Sequence, residues 1–151
     1  MSQMIGRLFS VFFVLFFIGW LAFDMPVALG IVYEGNSLYA REIDPIFRDP
    51  PSWLQTISWF AFAYGPFYAA AAYGFVRHTS WLPYVVLPLA GMMVATTAIY
   101  MIEDATGDVQ PLDWAAFYLL NGPYIVVPVL AASWLIVAGQ QRVDRSPTAS
   151  P

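Results

Sequence analysis

Between Leu8 and Val32 the chain reads LFSVFFVLFFIGWLAFDMPVALGIV, twenty-five residues of which only Asp24 is charged. As a helix rising about 1.5 Å per residue the stretch is roughly 37 Å long, enough to cross a hydrocarbon core of about 30 Å with some tilt. Arg7 before the run and Ala28-Leu29-Gly30 after it give some likeness to a secretory leader. The unbroken apolar part from Leu8 to Phe23, however, is 16 residues, past the core length of about 7 to 15 found in leaders, and it continues beyond Asp24. It is read as a retained membrane helix. A carboxyl in the bilayer interior costs on the order of 2.5 to 3.5 kcal/mol and needs a partner, a proton or a polar cavity. Two residues on, Pro26 has no N–H for the carbonyl of Ala22, so an acceptor and a carboxyl lie within about one turn of each other. That pair suits an ammonium or a hydroxyl and makes Asp24 the first functional candidate. The plain alternative is that Asp24, about 10 Å from the helix end, reaches headgroup water by local bending.

The remainder of the 151 residues follows the same pattern. The chain is 60% hydrophobic and only 11% charged, against about 25% charge in a soluble domain, and four apolar spans leave no room for a separate soluble unit. The spans fall at about 8–32, 53–76, 82–102 and 114–138. Tyr64-Gly65-Pro66 interrupts the second, Pro83 and Pro88 lie early in the third, and Pro123 and Pro128 lie in the fourth. The expected fold is therefore all-α: an integral membrane four-helix bundle with Pro-kinked helices. Between the first two spans, YEGNSLYAREIDPIFRDPPS is too charged and too rich in proline to cross a bilayer, yet Leu38, Tyr39, Ile43, Ile46 and Phe47 could lay a short helix against the bundle. It is read as a structured cap. The polar residues 139–151 read as a disordered tail. Gly91 and Ala95 make a small-xxx-small pair, which serves either packing within the bundle or a homodimer face.

Charge orients and excludes. Arg7, Arg77, Arg142 and Arg145 flank one side, and Arg41 and Arg48 the other, which places both termini in the cytoplasm by the positive-inside rule. With no lysine and a net charge of −4 there is no basic patch for nucleic acid. Cysteine is absent and His78 is the one histidine, so no metal site and no cofactor is expected.

Few polar residues remain inside the spans. Thr96, Tyr100 and Glu103 are spaced i, i+4, i+7 and share one face of the third helix, while Asn121 and Tyr124 share a face of the fourth. These faces could converge on Asp24. Each residue has a simpler reading: threonine and asparagine in membrane helices often bond to their own backbone, tyrosines mostly pack, and Glu103 and Asp104 at a span end could be solvated acids.

The segment Asp44-Pro45-Ile46-Phe47-Arg48-Asp49-Pro50-Pro51-Ser52-Trp53-Leu54 resembles the stretch before the second helix in the sigma-2 receptor (transmembrane protein 97) family. There an Asp-Pro is followed by an acidic residue, two prolines and a tryptophan. Gly122-Pro123-Tyr124 with Val127-Pro128 resembles that family's fourth helix, Phe23-Asp24 its first-helix aspartate, and Ile102-Glu103-Asp104 the acidic close of its third. The wider EXPERA family also holds the emopamil-binding protein, a sterol isomerase. The resemblance covers about residues 8–138. It implies a four-helix membrane bundle, often dimeric, whose cavity binds sterol-like lipids and hydrophobic amines, with Asp24 meeting the ammonium and Asp44 supporting it. Two close carboxyls in a site of low dielectric would share one proton and keep roughly one negative charge for a cation.

The chain departs from these patterns in the second helix. Ser58 to Tyr64 reads SWFAFAY, without the mid-helix glutamate of sigma-2 receptor-like proteins, and the isomerase histidine and glutamate positions hold Trp53 and Ile57. Isomerisation needs an acid for one carbon and a base for another. The expected function is thus non-enzymatic binding of a sterol, isoprenoid lipid or hydrophobic amine at Asp24, Asp44, Thr96, Tyr100, Glu103, Asn121 and Tyr124. The alternative is a sterol or isoprenoid double-bond isomerase with Glu103 as acid and Asn121 as positioner. A proton-coupled exporter using Asp24 alone is disfavoured by the lack of internal repeats.

Overall fold

The computed structural model describes residues 3–30 and 34–144, and among these the chain is all-helical, with no strand. Ile31 to Tyr33, at the expected end of the first span, and 145–151 of the expected tail, including Arg145, lie outside the described residues. Helix α1 (Gln3–Gly19) passes through a π-turn, Trp20–Asp24, into the short α2 (Met25–Ala28). The cap holds α3 (Glu34–Glu42) and a 3-10 turn, Pro45–Arg48. Then come α4 (Ser52–Phe62), α5 (Tyr64–Arg77), α6 (Leu82–Thr106), α7 (Trp114–Asn121) and α8 (Pro123–Asp144).

Among the described residues three helical stretches are long and apolar enough to cross a membrane: Gln3–Asp24, Leu82–Thr106 and Trp114–Ala138. The expected span 53–76 is instead split at Ala63 into α4 and α5, each too short alone. The cause is local. Pro66 cannot donate to the carbonyl of Phe62, so the helix loses a rung there. A different element fills it, because the indole Nε1–H of Trp20 donates to the Phe62 carbonyl at 3.1 Å. The ring of Trp20 lies flat against Gly65, where a Cβ would come within 2.5 to 2.7 Å of three ring atoms. At the other end of the chain, α8 does not stop at Ala138. It runs on through Gln140, Gln141 and Arg142, good helix formers, to Asp144, so the first part of the expected tail is helical.

The core is aromatic. Phe9, Phe13 and Phe16 of α1 pack on Tyr68 and Phe75 of α5, and Trp134 of α8 sits against Phe9 and Phe75. The α1 and α5 backbones approach closely because Gly6 faces the Phe75 carbonyl and the neighbouring face of α5 is Ala71 and Ala72. The buried Ser10 hydroxyl donates to the Ala72 carbonyl at 3.0 Å. Gly91 and Ala95, by contrast, face outward, and nothing lies within 4 Å of where a Gly91 Cβ would be. That pair does not pack within the chain.

The cap is structured. Asp44 starts the 3-10 turn by accepting the Ile46 N–H at 3.2 Å, and Arg48 closes α3 by donating to the carbonyls of Ala40 and Arg41 at 3.1 and 3.2 Å. The N–H groups of Leu112 and Asp113, before α7, donate to the Ile43 carbonyl at 2.8 and 3.4 Å. Asp113 in turn caps α7 through Ala116 N–H at 2.9 Å.

Candidate functional site

A cavity of about 370 Å³ lies between α1, α4, α5, α6 and the α7–α8 junction, with Tyr39 and Phe47 of the cap across one end. Its walls are largely apolar: Leu54, Ile57, Ala61, Met93 and Leu120 contribute alongside several aromatic rings. Five of the seven residues singled out in the sequence line it, namely Asp24, Thr96, Tyr100, Asn121 and Tyr124. The α6 face carrying Thr96 and Tyr100 and the α7–α8 face carrying Asn121 and Tyr124 thus do meet on the cavity that Asp24 borders.

Asp24 ends the π-turn. The Met25 N–H bonds back five residues, to the Trp20 carbonyl, so the turn holds one residue more than an α-turn. At 3.6 residues per turn, one added residue rotates the next stretch of chain by about 100° relative to an unbroken helix. Asp24 is half-buried, and among the described residues no hydrogen bond reaches its carboxyl. Tyr64, Tyr68 and Tyr124 line the same cavity. Gly19, one turn back, faces the Tyr124 hydroxyl so closely that a Cβ there would collide with it. This glycine therefore makes the space in which Tyr124 reaches the cavity.

Asp44 is not on the cavity wall. It is fully buried behind Tyr100, whose hydroxyl donates to Asp44 Oδ2 while Oδ1 accepts the Ile46 N–H. Both carboxylate oxygens are thus engaged away from Asp24, and no hydrogen bond joins the two acids. Burial pushes the Asp44 carboxyl above its ordinary range, opposed by the hydrogen bonds from Tyr100 and Ile46.

Glu103 does not face the cavity. It is exposed, and the acid that α6 turns inward is its neighbour Asp104, fully buried with neither carboxylate oxygen hydrogen-bonded. The buried stripe of α6 runs Val86, Leu89, Met93, Tyr100, and from Tyr100 it continues by a step of four rather than three. The acid assigned to an isomerase is accordingly outside the cavity. Asn121, its proposed positioner, donates through Nδ2 to the Phe117 carbonyl at 2.9 Å and to the Tyr39 hydroxyl at 3.2 Å.

No family model, curated protein or solved structure matches this chain. The geometry stands by itself.

Three lining tyrosines had no place among the sequence candidates. Tyr39 comes from the cap, where burial raises its phenol above the ordinary value and its oxygen accepts the Asn121 Nδ2–H. Tyr64 and Tyr68 share a face of α5, and the Tyr64 hydroxyl donates to Thr96 Oγ1 at 3.4 Å, while Thr96 donates to the Met92 carbonyl at 2.9 Å. Their i, i+4 spacing, continued by Ala71 and Ala72 on the same buried face, was the available signal. Among the described residues no three histidine, cysteine, aspartate or glutamate side chains gather as metal ligands would. Chemically, the arrangement is an apolar box of aromatic walls with one unbonded carboxyl and a rim of phenols, hydroxyls and an amide. It can exclude water from a hydrophobic body and offer a single acid to a polar or cationic end.

Proposed function

We propose that the protein is a multi-pass membrane protein of the sigma-2 receptor type, binding a sterol- or isoprenoid-like lipid or a hydrophobic amine without transforming it. The observation that carries this reading is the cavity of about 370 Å³ with Asp24 on its wall. Its volume falls within the range of about 300–1,000 Å³ usual for ligand sites, and such sites combine apolar walls with few polar groups. A carboxyl with no protein hydrogen bond, held among tyrosine rings, favours a cation through charge and through the ring faces.

In this reading α4 and α5 together make a fourth crossing, kinked at Pro66, so that a four-helix bundle with Pro-kinked helices encloses the cavity and both termini are cytoplasmic. The outward Gly91–Ala95 pair supports a homodimer, since small residues let two helices approach closely.

The test is binding of a lipophilic tertiary amine to the detergent-purified chain. Loss of a charge-assisted hydrogen bond is worth about 1.5–3 kcal/mol, so Asp24→Asn should weaken the amine roughly ten- to hundredfold. Equal affinity in parent and variant would defeat the proposal. Mass spectrometry of lipids carried through purification would identify the natural occupant.

A further inference from the structure

Asp24 owes its role to the lipid and amine reading, on which the inference about Trp20 rests, but that reading does not say why this side chain faces the cavity. Asp24 closes a π-turn, and a π-turn is less favourable than an α-turn unless something holds it. Trp20 opens the same turn and is tied to α4 by its indole N–H, which occupies the carbonyl that Pro66 leaves without a helical donor. The Trp20 ring rests on Gly65, stacks on Phe17 at 5.5 Å between centroids and lies beside Phe62 at 5.8 Å. The two residues that bound the π-turn thus face different tasks. One is fixed to α4 and α5; the other borders the cavity.

We infer that Trp20 is a positioning residue. Its anchorage to Phe62 and Gly65 holds the π-turn, and the turn's extra residue sets the direction in which the Asp24 carboxyl meets a guest. Without the indole bond α1 is free to relax to an α-turn, which swings Asp24 by about 100° away from its present wall. Trp20 itself does not line the cavity, so its effect on a guest passes through Asp24.

The chain has no cysteine, so Asp24→Cys introduces a single thiol whose labelling by 2-aminoethyl methanethiosulfonate reports the direction of that position. Trp20→Phe keeps a ring and loses the N–H, while Gly65→Ala keeps the N–H and displaces the ring. A net hydrogen bond is worth about 0.5–1.5 kcal/mol, so each change should slow labelling at Asp24→Cys up to about tenfold. Labelling at Thr97→Cys, on the α6 wall of the cavity, should stay within about twofold. On the otherwise native chain, Trp20→Phe should cut the preference for a lipophilic amine over its uncharged isostere by the same factor as the labelling, with isostere affinity unchanged. Unaltered labelling at Asp24→Cys overturns the inference. So does an equal fall at both thiols or for both ligands, which would mean a collapsed cavity. A parent chain with no preference for the amine defeats the lipid and amine reading alone, and the thiol pair still decides the role of Trp20.

Discussion

The hydroxyl of Tyr100 in α6 donates to the carboxylate of Asp44, fifty-six residues earlier in the chain. That bond fastens the cap to the cavity wall, because Tyr100 lines the cavity and Asp44 begins the 3-10 turn whose Phe47 packs on Tyr100.

Tyr100→Phe leaves a buried carboxyl short of one donor, at a cost of about 1–3 kcal/mol. Asp44→Ala should cost more, because it also takes the acceptor from the Ile46 N–H, and the double variant little more than Asp44→Ala alone, since the Tyr100 bond is already lost there. Thermal unfolding in detergent measures all three. Strictly additive losses would show that the two side chains stabilise the fold independently.

Stability should also depend on pH through Asp44. Its carboxyl is pushed up by burial from an ordinary value of 3.8. A group that binds its proton more tightly folded than unfolded contributes fully below its unfolded pKa and loses that contribution as pH rises through the folded value. The parent chain should therefore lose stability with rising pH above about 3.8 more steeply than Asp44→Asn, which retains an acceptor for Tyr100 and does not titrate. Identical slopes for the two proteins would contradict this assignment.

Asp104 sits fully buried in the last turn of α6 with both oxygens unbonded. A carboxyl there lacks hydrogen-bond compensation and faces the negative end of the helix dipole. Asp104→Leu, which keeps the same branching of heavy atoms and replaces both oxygens by methyl groups, should raise the unfolding temperature, with a gain of about 1–3 kcal/mol. A lower unfolding temperature would assign this acid a stabilising partner.

Much of this arrangement is legible in the amino-acid order. Length and apolarity alone mark the stretches that become α1, α6 and α7–α8, and a single charge in the first marks Asp24. Other features escape because spacing is degenerate. Glu103 and Asp104 fit the Tyr100 face by steps of three and four, and only the drift of the Val86–Leu89–Met93 stripe selects the second. Tyr39 belongs to a segment whose placement depends on distant partners, Asn121 and Leu112 among them. The π-turn has no period of its own: its register comes from Trp20 meeting a carbonyl orphaned by Pro66, forty-odd positions away in the chain.

The hydrogen bonds around the cavity are unevenly distributed, and this has a mechanical consequence. Lifting the end covered by Tyr39 means breaking its bond to Asn121 and those from Leu112 and Asp113 to Ile43, each worth about 1 kcal/mol. Leu15, Ile18 and Leu120 also border the hollow and are exposed on the flank, where they meet their surroundings through hydrocarbon alone. Parting those side chains sacrifices no directional bond, so the soft direction of the molecule is sideways rather than upward.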